Sequence, residues 1–245
     1  MRKQIKAIAF DLDGTLIDSV PDLAVATQAA LAELGLATCT EAQVRTWVGN
    51  GAEMLMRRAM SHALGADVEQ TALDAAMPIF MHHYQENLEK HSALYADVHQ
   101  VLQTLFDAGF KLAVVTNKPY RFTLPLLEAF KINDFFSLVL GGDSLAKMKP
   151  DPLPLEHLLA QWQLDKSELL MVGDSKNDIL AAKAAGVASI GLTYGYNYGE
   201  DIGLTGPDAV CEQFAEILAG MDLVLSADQC ARLEAPYRPR FPVTQ

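Results

Sequence analysis

The sequence predicts an α/β fold in which a parallel sheet carries helices on both faces and receives an all-helical insert. Three observations lead to this prediction. Strand-sized apolar runs alternate with helix-sized segments after residue 97, which is typical of a parallel sheet. A similar apolar run at residues 5–10 lies far ahead of them in the chain. The segment between is dominated by Ala, Leu, Met, Gln and Glu and has no β-branched runs, which indicates helices.

The N-terminal run at residues 5–10 predicts a buried strand, because it is mostly apolar and stops at Asp11. The insert then opens with apolar residues at helical spacing, and Gly35 follows in a position that ends many helices. Further helices of the insert are expected at residues 41–48, 52–64 and 68–90.

Helices and strands alternate in the second half of the chain. Pro119 is expected in the first turn of its helix, where its missing N–H costs no hydrogen bond. The helices are expected at residues 97–108, 119–130, 151–161 and 177–185, and the strands at 111–116, 137–140, 169–172, 188–192 and 209–210.

These elements suggest three parts of the chain. Residues 1–17 and 92–225 are predicted to form the α/β core, and residues 18–91 the helical domain inserted into it. Residues 226–245 contain three prolines and are predicted to be an irregular extension.

Composition narrows the classes of function. Half of the 245 residues are hydrophobic, so the chain can bury a sizeable core and is not disordered. Its net charge of −12 disfavours nucleic acid and anionic membrane surfaces as partners, and no apolar run is long enough to span a bilayer. Three well-separated cysteines suit a reducing compartment, and the first apolar run is too short for a signal peptide. We therefore expect a cytoplasmic protein. As a protein partner we expect, at most, a second copy of the chain, so that the protein is a monomer or a homodimer.

Polar residues follow the predicted strands at their carboxyl ends. In a parallel sheet these ends share one edge, where ligands bind. Asp residues without His or Cys suit a hard cation such as Mg²⁺, and a carboxylate can attack phosphorus where cations offset the repulsion. The segments are Asp11-Leu12-Asp13-Gly14-Thr15, Thr116-Asn117-Lys118, Lys149-Pro150-Asp151-Pro152 and Gly173-Asp174-Ser175-Lys176-Asn177-Asp178.

In residues and order, these motifs resemble the phosphatase branch of the haloacid dehalogenase superfamily. The resemblance implies a Rossmann-like core, a cap formed by the insert, Mg²⁺ as cofactor and a small phosphate ester as substrate, which is the small-molecule partner that we expect. It implies that Asp11 is the nucleophile and Asp13 the general acid and base. Mg²⁺ would be bound by Asp11, Asp174 and the backbone carbonyl of Asp13, while Asp178 would support the metal site from one helical turn beyond Asp174.

The same resemblance implies that Thr116, the backbone amide of Asn117 and Lys149 hold the phosphoryl group. Other interpretations stay open for single residues. Thr116 alone is typical of an ordinary strand, and Asp174 alone of a helix N-cap. Lys147, two residues before Lys149, is an alternative to it.

The cap is expected to close over the site, with hinges at residues 18–20 and 94–97. Gly49 and Gly51 flank Asn50 between two cap helices, and we expect this turn to face the site and contact substrate. An ordinary turn is the alternative. Arg45, one turn earlier, either reaches an anionic group of the substrate or is solvated.

Further stretches resemble the bacterial phosphoglycolate phosphatase family, which implies hydrolysis of 2-phosphoglycolate to glycolate and phosphate. A related small-molecule phosphatase and a mutase similar to β-phosphoglucomutase share the core motifs and stay open. A phosphoacceptor signalling module is less favoured, because receiver domains are shorter and have no cap. The stretches are Asp18-Ser19-Val20-Pro21-Asp22-Leu23, Val48-Gly49-Asn50-Gly51, Gly141-Gly142-Asp143-Ser144 and Thr193-Tyr194-Gly195-Tyr196-Asn197-Tyr198-Gly199-Glu200.

Overall fold

A computed structural model describes residues 5–221 of the chain. Six strands form one parallel sheet in the order β5-β4-β1-β6-β7-β8, which confirms the predicted fold class. Two further strands, β2 and β3, pair with each other outside this sheet. The strands are β1 (Ala7–Phe10), β2 (Ile17–Asp18), β3 (Ala93–Leu94), β4 (Lys111–Val115), β5 (Leu138–Leu140), β6 (Leu169–Gly173), β7 (Ala188–Leu192) and β8 (Ala209–Cys211).

Strand β1 lies inside the sheet and is buried on both faces. Ile8 and Phe10 pack into one hydrophobic cluster, whereas Ala7 and Ala9 point into another on the opposite side. Helices cover both faces, so an almost unbroken apolar run is the sequence that this position requires.

Four of the helices lie between β2 and β3, where the sequence predicts the insert. Pro119 immediately precedes its helix as the N-cap residue, so the prediction that it lies in the first turn is wrong by one position. The described α-helices are α1 (Val20–Glu33), α2 (Glu41–Trp47), α3 (Gly51–Leu64), α4 (Gln70–Glu86), α5 (Val98–Asp107), α6 (Tyr120–Ala129), α7 (Leu153–Trp162) and α8 (Lys176–Ala185).

The two ends of the insert are tied together. Ile17 pairs with Leu94 in the antiparallel ladder of β2 and β3. The buried Asp22 carboxylate, at the start of α1, accepts hydrogen bonds from the backbone N–H groups of His91 and Ser92 at 2.9 and 2.8 Å. Two-residue strands carry no periodic signal, so the sequence prediction does not contain this ladder. The domain boundaries remain predictions, and the predicted extension at 226–245 lies outside the described residues.

Between residues 5 and 221, no helix combines the length and apolar character needed to cross a bilayer.

Candidate active site

Three buried carboxylates meet beside the ends of β1 and β6. Asp11, Asp174 and Asp178 each offer a carboxylate oxygen, and these oxygens lie within 4.8 Å of one another. The Lys149 ammonium lies 3.0 Å from Asp11 Oδ1 and 2.6 Å from Asp178 Oδ1. With all four groups ionised, the cluster carries three negative charges and one positive charge.

Burial and mutual repulsion make the charged forms of these carboxylates unfavourable. Burial raises the pKa of Asp11 to about 7, although the charge of Lys149 opposes the rise. Burial also raises the pKa of Asp174 well above its usual range, and repulsion from Asp11 and Asp178 adds to the effect. A net charge of −2 on buried oxygen ligands fits a hard divalent cation.

The Asp174 carboxylate is fixed on both of its oxygens. Thr15 Oγ1 donates to Oδ1 and the backbone N–H of Tyr196 donates to Oδ2, each at 2.6 Å. Gly14 and Gly195 allow this close packing, because a Cβ atom on either would lie 2.3 or 2.2 Å from Asp174 Oδ2. Thr15, Tyr196 and Gly195 are not among the predicted site residues, although each lies in a stretch that resembles the family.

Asp178 belongs to the first turn of α8. Ser175 is the N-cap residue of this helix, and its backbone N–H and hydroxyl donate to Asp178 Oδ2 at 2.9 and 3.0 Å. The alternative interpretation of Asp174 as the N-cap is therefore wrong. With Oδ1 bonded to Lys149, both Asp178 oxygens have partners within the protein.

The lysine on the cluster is Lys149 and not the alternative, Lys147. Lys149 is 1% exposed, whereas the Lys147 side chain points outward and pairs with Asp151 at 2.9 Å.

The Asp13 carboxylate has partners other than those of the three-carboxylate cluster. Its Oδ1 accepts from Ser19 Oγ at 2.6 Å and from Lys118 Nζ at 3.0 Å. The same ammonium donates to the hydroxyl of Tyr84 on α4. Burial disfavours the charged form of Lys118, but Asp13 and Tyr84 outweigh it and raise its pKa. Lys118 is not among the predicted site residues, although it lies directly after Thr116 and Asn117.

Thr116 and Asn117 are buried at the end of β4, next to β1 in the sheet. Thr116 Oγ1 accepts from the backbone N–H of Lys118 at 3.2 Å, which leaves its hydrogen available to an acceptor. Asn117 Nδ2 donates to the carbonyls of Lys149 and Gly49 at 2.8 and 2.9 Å. Its Oδ1 is buried without a hydrogen-bond partner among the described residues.

The turn between α2 and α3 lies against the α/β core beside Asn117, and its contact with substrate stays a prediction. The Gly49 carbonyl also accepts from Asn177 Nδ2 at 2.9 Å. Asn50 Oδ1 accepts from Arg58 at 2.7 Å and from the Tyr198 hydroxyl at 2.9 Å. Gly51 also touches the core, since a Cβ at this position would lie 3.3 Å from the Asn117 carbonyl.

Arg45 is half-buried and held by side chains of the protein. It pairs with Asp18 at 3.2 Å and with Glu41 at 3.0 Å, and its guanidinium lies 5.1 Å from the centre of the Tyr196 ring.

An open groove of about 770 Å³ leads from solvent toward Lys149. It separates α3 from the loop that precedes α7. Its lining residues include Asn50, Met54, Arg58, Lys147, Met148 and Lys149.

The chain is similar to known hydrolases both in sequence and in fold. Residues 8–192 match the family model of haloacid dehalogenase-like hydrolases. The chain is 50% identical over 226 residues to the phosphoglycolate phosphatase of Vibrio vulnificus strain YJ016, covering 91% of this chain and 98% of that protein. It is 51% identical over 218 residues to the enzyme of the same name from Vibrio cholerae serotype O1, with 88% and 96% covered.

Among solved structures, a predicted phosphoglycolate phosphatase from Haemophilus somnus 129PT is 44% identical, with a TM-score of 0.85. The match covers 89% of this chain and 98% of that one.

Proposed function

The chain belongs to the haloacid dehalogenase-like hydrolase family as a phosphatase, and we propose that it hydrolyses 2-phosphoglycolate through an aspartyl-phosphate intermediate. The observation that carries the proposal is the buried Asp11 carboxylate, which faces Lys149 beside two further carboxylates. Two relatives that are about 50% identical over nearly their whole length are named phosphoglycolate phosphatases, and these names support the choice of substrate.

The donor set fits Mg²⁺. Asp11, Asp174 and the backbone carbonyl of Asp13 would hold it, and bound Mg²⁺ would supply positive charge beside the attacking carboxylate and the phosphoryl oxygens. Asp178 supports this site indirectly, because its two oxygens hold Lys149 and the N-terminus of α8.

In the first step, an Asp11 oxygen attacks phosphorus, and the bond from phosphorus to the glycolate oxygen breaks. Asp13 gives a proton to the departing oxygen. Thr116, the Asn117 amide and Lys149 hold the phosphoryl oxygens. The turn at Gly49, which accepts a hydrogen bond from Asn117, would lie over the site and limit access of water to it.

In the second step, Asp13 takes a proton from water, which attacks phosphorus. The bond between phosphorus and Asp11 breaks, inorganic phosphate leaves, and the Asp11 carboxylate is restored.

Phosphate release from a panel of phosphoesters in Mg²⁺ tests the proposal. The panel contains 2-phosphoglycolate, glycerol phosphate, hexose phosphates and pyrophosphate, and Asp11→Asn is the control. A kcat/KM for 2-phosphoglycolate about a hundredfold above the others supports the proposed substrate. A preference for a sugar phosphate would refute 2-phosphoglycolate as the substrate but would be compatible with the aspartyl-phosphate mechanism. A requirement for a sugar bisphosphate would indicate a mutase. More than a tenth of the activity surviving in Asp11→Asn refutes the nucleophile.

A further inference from the structure

We propose that Lys118, together with the hydroxyl of Tyr84, binds the carboxylate of the substrate and makes the site selective for phosphoesters of short hydroxy acids. This inference rests on the proposed function and adds a specificity determinant to it. It starts from a buried cation that the proposed chemistry does not use.

Lys118 is a buried ammonium group with one anionic partner among the described residues. Its side chain is 2% exposed, and it donates to both oxygens of the Asp13 carboxylate and to one neutral group, the Tyr84 hydroxyl. Lys149, by contrast, is shared between the carboxylates of Asp11 and Asp178. Burying an ammonium is costly unless anions surround it, so the position of Lys118 favours a second anion beside Asp13.

The geometry places that anion. Asp13 must lie within hydrogen-bond reach of the ester oxygen that it protonates, about 3 Å. In 2-phosphoglycolate one methylene separates this oxygen from the carboxylate, so the two lie about 3 Å apart. Lys118 Nζ is 3.0 Å from Asp13 Oδ1, so a substrate carboxylate on the Asp13 side of the ester oxygen can meet this ammonium.

Lys118 and Tyr84 come from different parts of the fold. Lys118 follows β4 of the sheet, whereas Tyr84 lies on α4 of the insert, and the two meet beside Asp13. A carboxylate accepting from both would contact the core and the insert at once. Among the described residues, Arg45 already has two carboxylate partners, Asp18 and Glu41, whereas Lys118 has one.

The test compares 2-phosphoglycolate with ethyl phosphate, in which a methyl group replaces the carboxylate. Lys118→Met removes the ammonium and keeps most of the stem. We expect it to lower kcat/KM for 2-phosphoglycolate about 10- to 100-fold more than for ethyl phosphate, the loss typical of one charged hydrogen bond. Lys147→Met, at an exposed lysine of the groove, is the matched control and should leave the ratio unchanged.

Equal losses for both substrates would overturn the proposal, because Lys118 would then act only by positioning Asp13. Tyr84→Phe removes a single oxygen and gives a second test if Lys118→Met does not fold. It should lower kcat/KM a few-fold for 2-phosphoglycolate alone, and equal losses again refute the role. A wild-type protein that does not prefer 2-phosphoglycolate to ethyl phosphate refutes the proposed substrate together with this role.

Discussion

Lys149 donates a hydrogen bond to Asp178 at 2.6 Å, and both side chains are almost completely buried. We expect Asp178→Asn to lower the free energy of unfolding of the metal-free protein by about 2 kcal/mol, because it removes a buried hydrogen bond between two charged groups. The loss is smaller than for an isolated buried ion pair, since Lys149 keeps Asp11 as a partner at 3.0 Å and the substitution relieves repulsion between Asp178 and Asp11.

Urea denaturation measures this loss, and Asp151→Asn is its matched control. Asp151 pairs with Lys147 at 2.9 Å, but the Lys147 side chain is 67% exposed. Exposed pairs contribute little, so the control should unfold like the wild type. Similar losses in both variants would contradict the assignment of Lys149–Asp178 as a buried structural pair.

Asp13→Asn should separate the two proposed steps. We expect kcat for 2-phosphoglycolate to fall about 10²- to 10⁴-fold, because the variant has neither a proton to give nor a base. With 4-nitrophenyl phosphate, whose leaving group needs no proton, the variant should release a burst of nitrophenolate and then turn over slowly. Stopped-flow absorbance detects the burst, and an unchanged kcat for either substrate would rule out the role of Asp13.

Binding of Mg²⁺ should weaken as the pH falls below about 7. The raised pKa of Asp11, about 7, means that the metal-free folded protein holds a proton at lower pH that the ion must displace. The affinity should then fall up to about tenfold per pH unit for each proton displaced.

The Mg²⁺-induced rise in Tm, measured at pH 6 and pH 8, checks this dependence. The rise should be larger at pH 8, and Asp174→Asn should abolish it at both values. An equal rise at both pH values would mean that the ion binds elsewhere.

Gly49→Ala should impair catalysis, because the added methyl group would disturb the contacts between this turn and the core. Gly49 has φ +121°, and an added Cβ would lie 2.5 Å from the Tyr198 hydroxyl, so either Tyr198 or the turn must shift, which disturbs the hydrogen bonds that link the turn to Asn117 and Asn177. We expect kcat/KM to fall more than about tenfold, since small displacements at an active site are costly.

Gly35→Ala provides the comparison, because Gly35 also has a positive φ, +68°, but nothing lies within 4 Å of its added Cβ. It should cost about 1 kcal/mol of stability from backbone strain and leave steady-state kinetics unchanged. If both variants keep full activity, the turn at Gly49 has no part in the site.

The sheet and the meeting of Asp11 with Asp174 can be predicted from the sequence, because both depend on short segments of the chain. Each strand is a short apolar run, and Asp11 and Asp174 follow two of these runs directly. Parallel topology then requires the two residues to meet at one edge. Helix bounds differ by a few residues, as for α4, predicted at 68–90 and observed at Gln70–Glu86.

The partners of these residues could not be predicted in the same way. Thr15 bonds to Asp174, 159 positions away, and Lys118 meets Asp13 across 105 positions. No periodicity or local motif specifies such contacts, which arise from the packing of the chain. The same holds for Tyr196 and Tyr198, which lie in a loop after β7 and reach the start of α1 and the turn before α3.

The short ladder of Ile17–Asp18 with Ala93–Leu94 holds the two ends of the helical insert next to each other. Paired strands lie about 5 Å apart, so the insert constrains the sheet mainly by requiring that its two ends stay this close together. A compact unit of another size, with its own ends equally close, can be grafted at this point without altering the register of the six strands. The architecture thus permits this continuous stretch of sequence to change in length and shape while Asp11, Asp174 and Lys149 keep their places in the core.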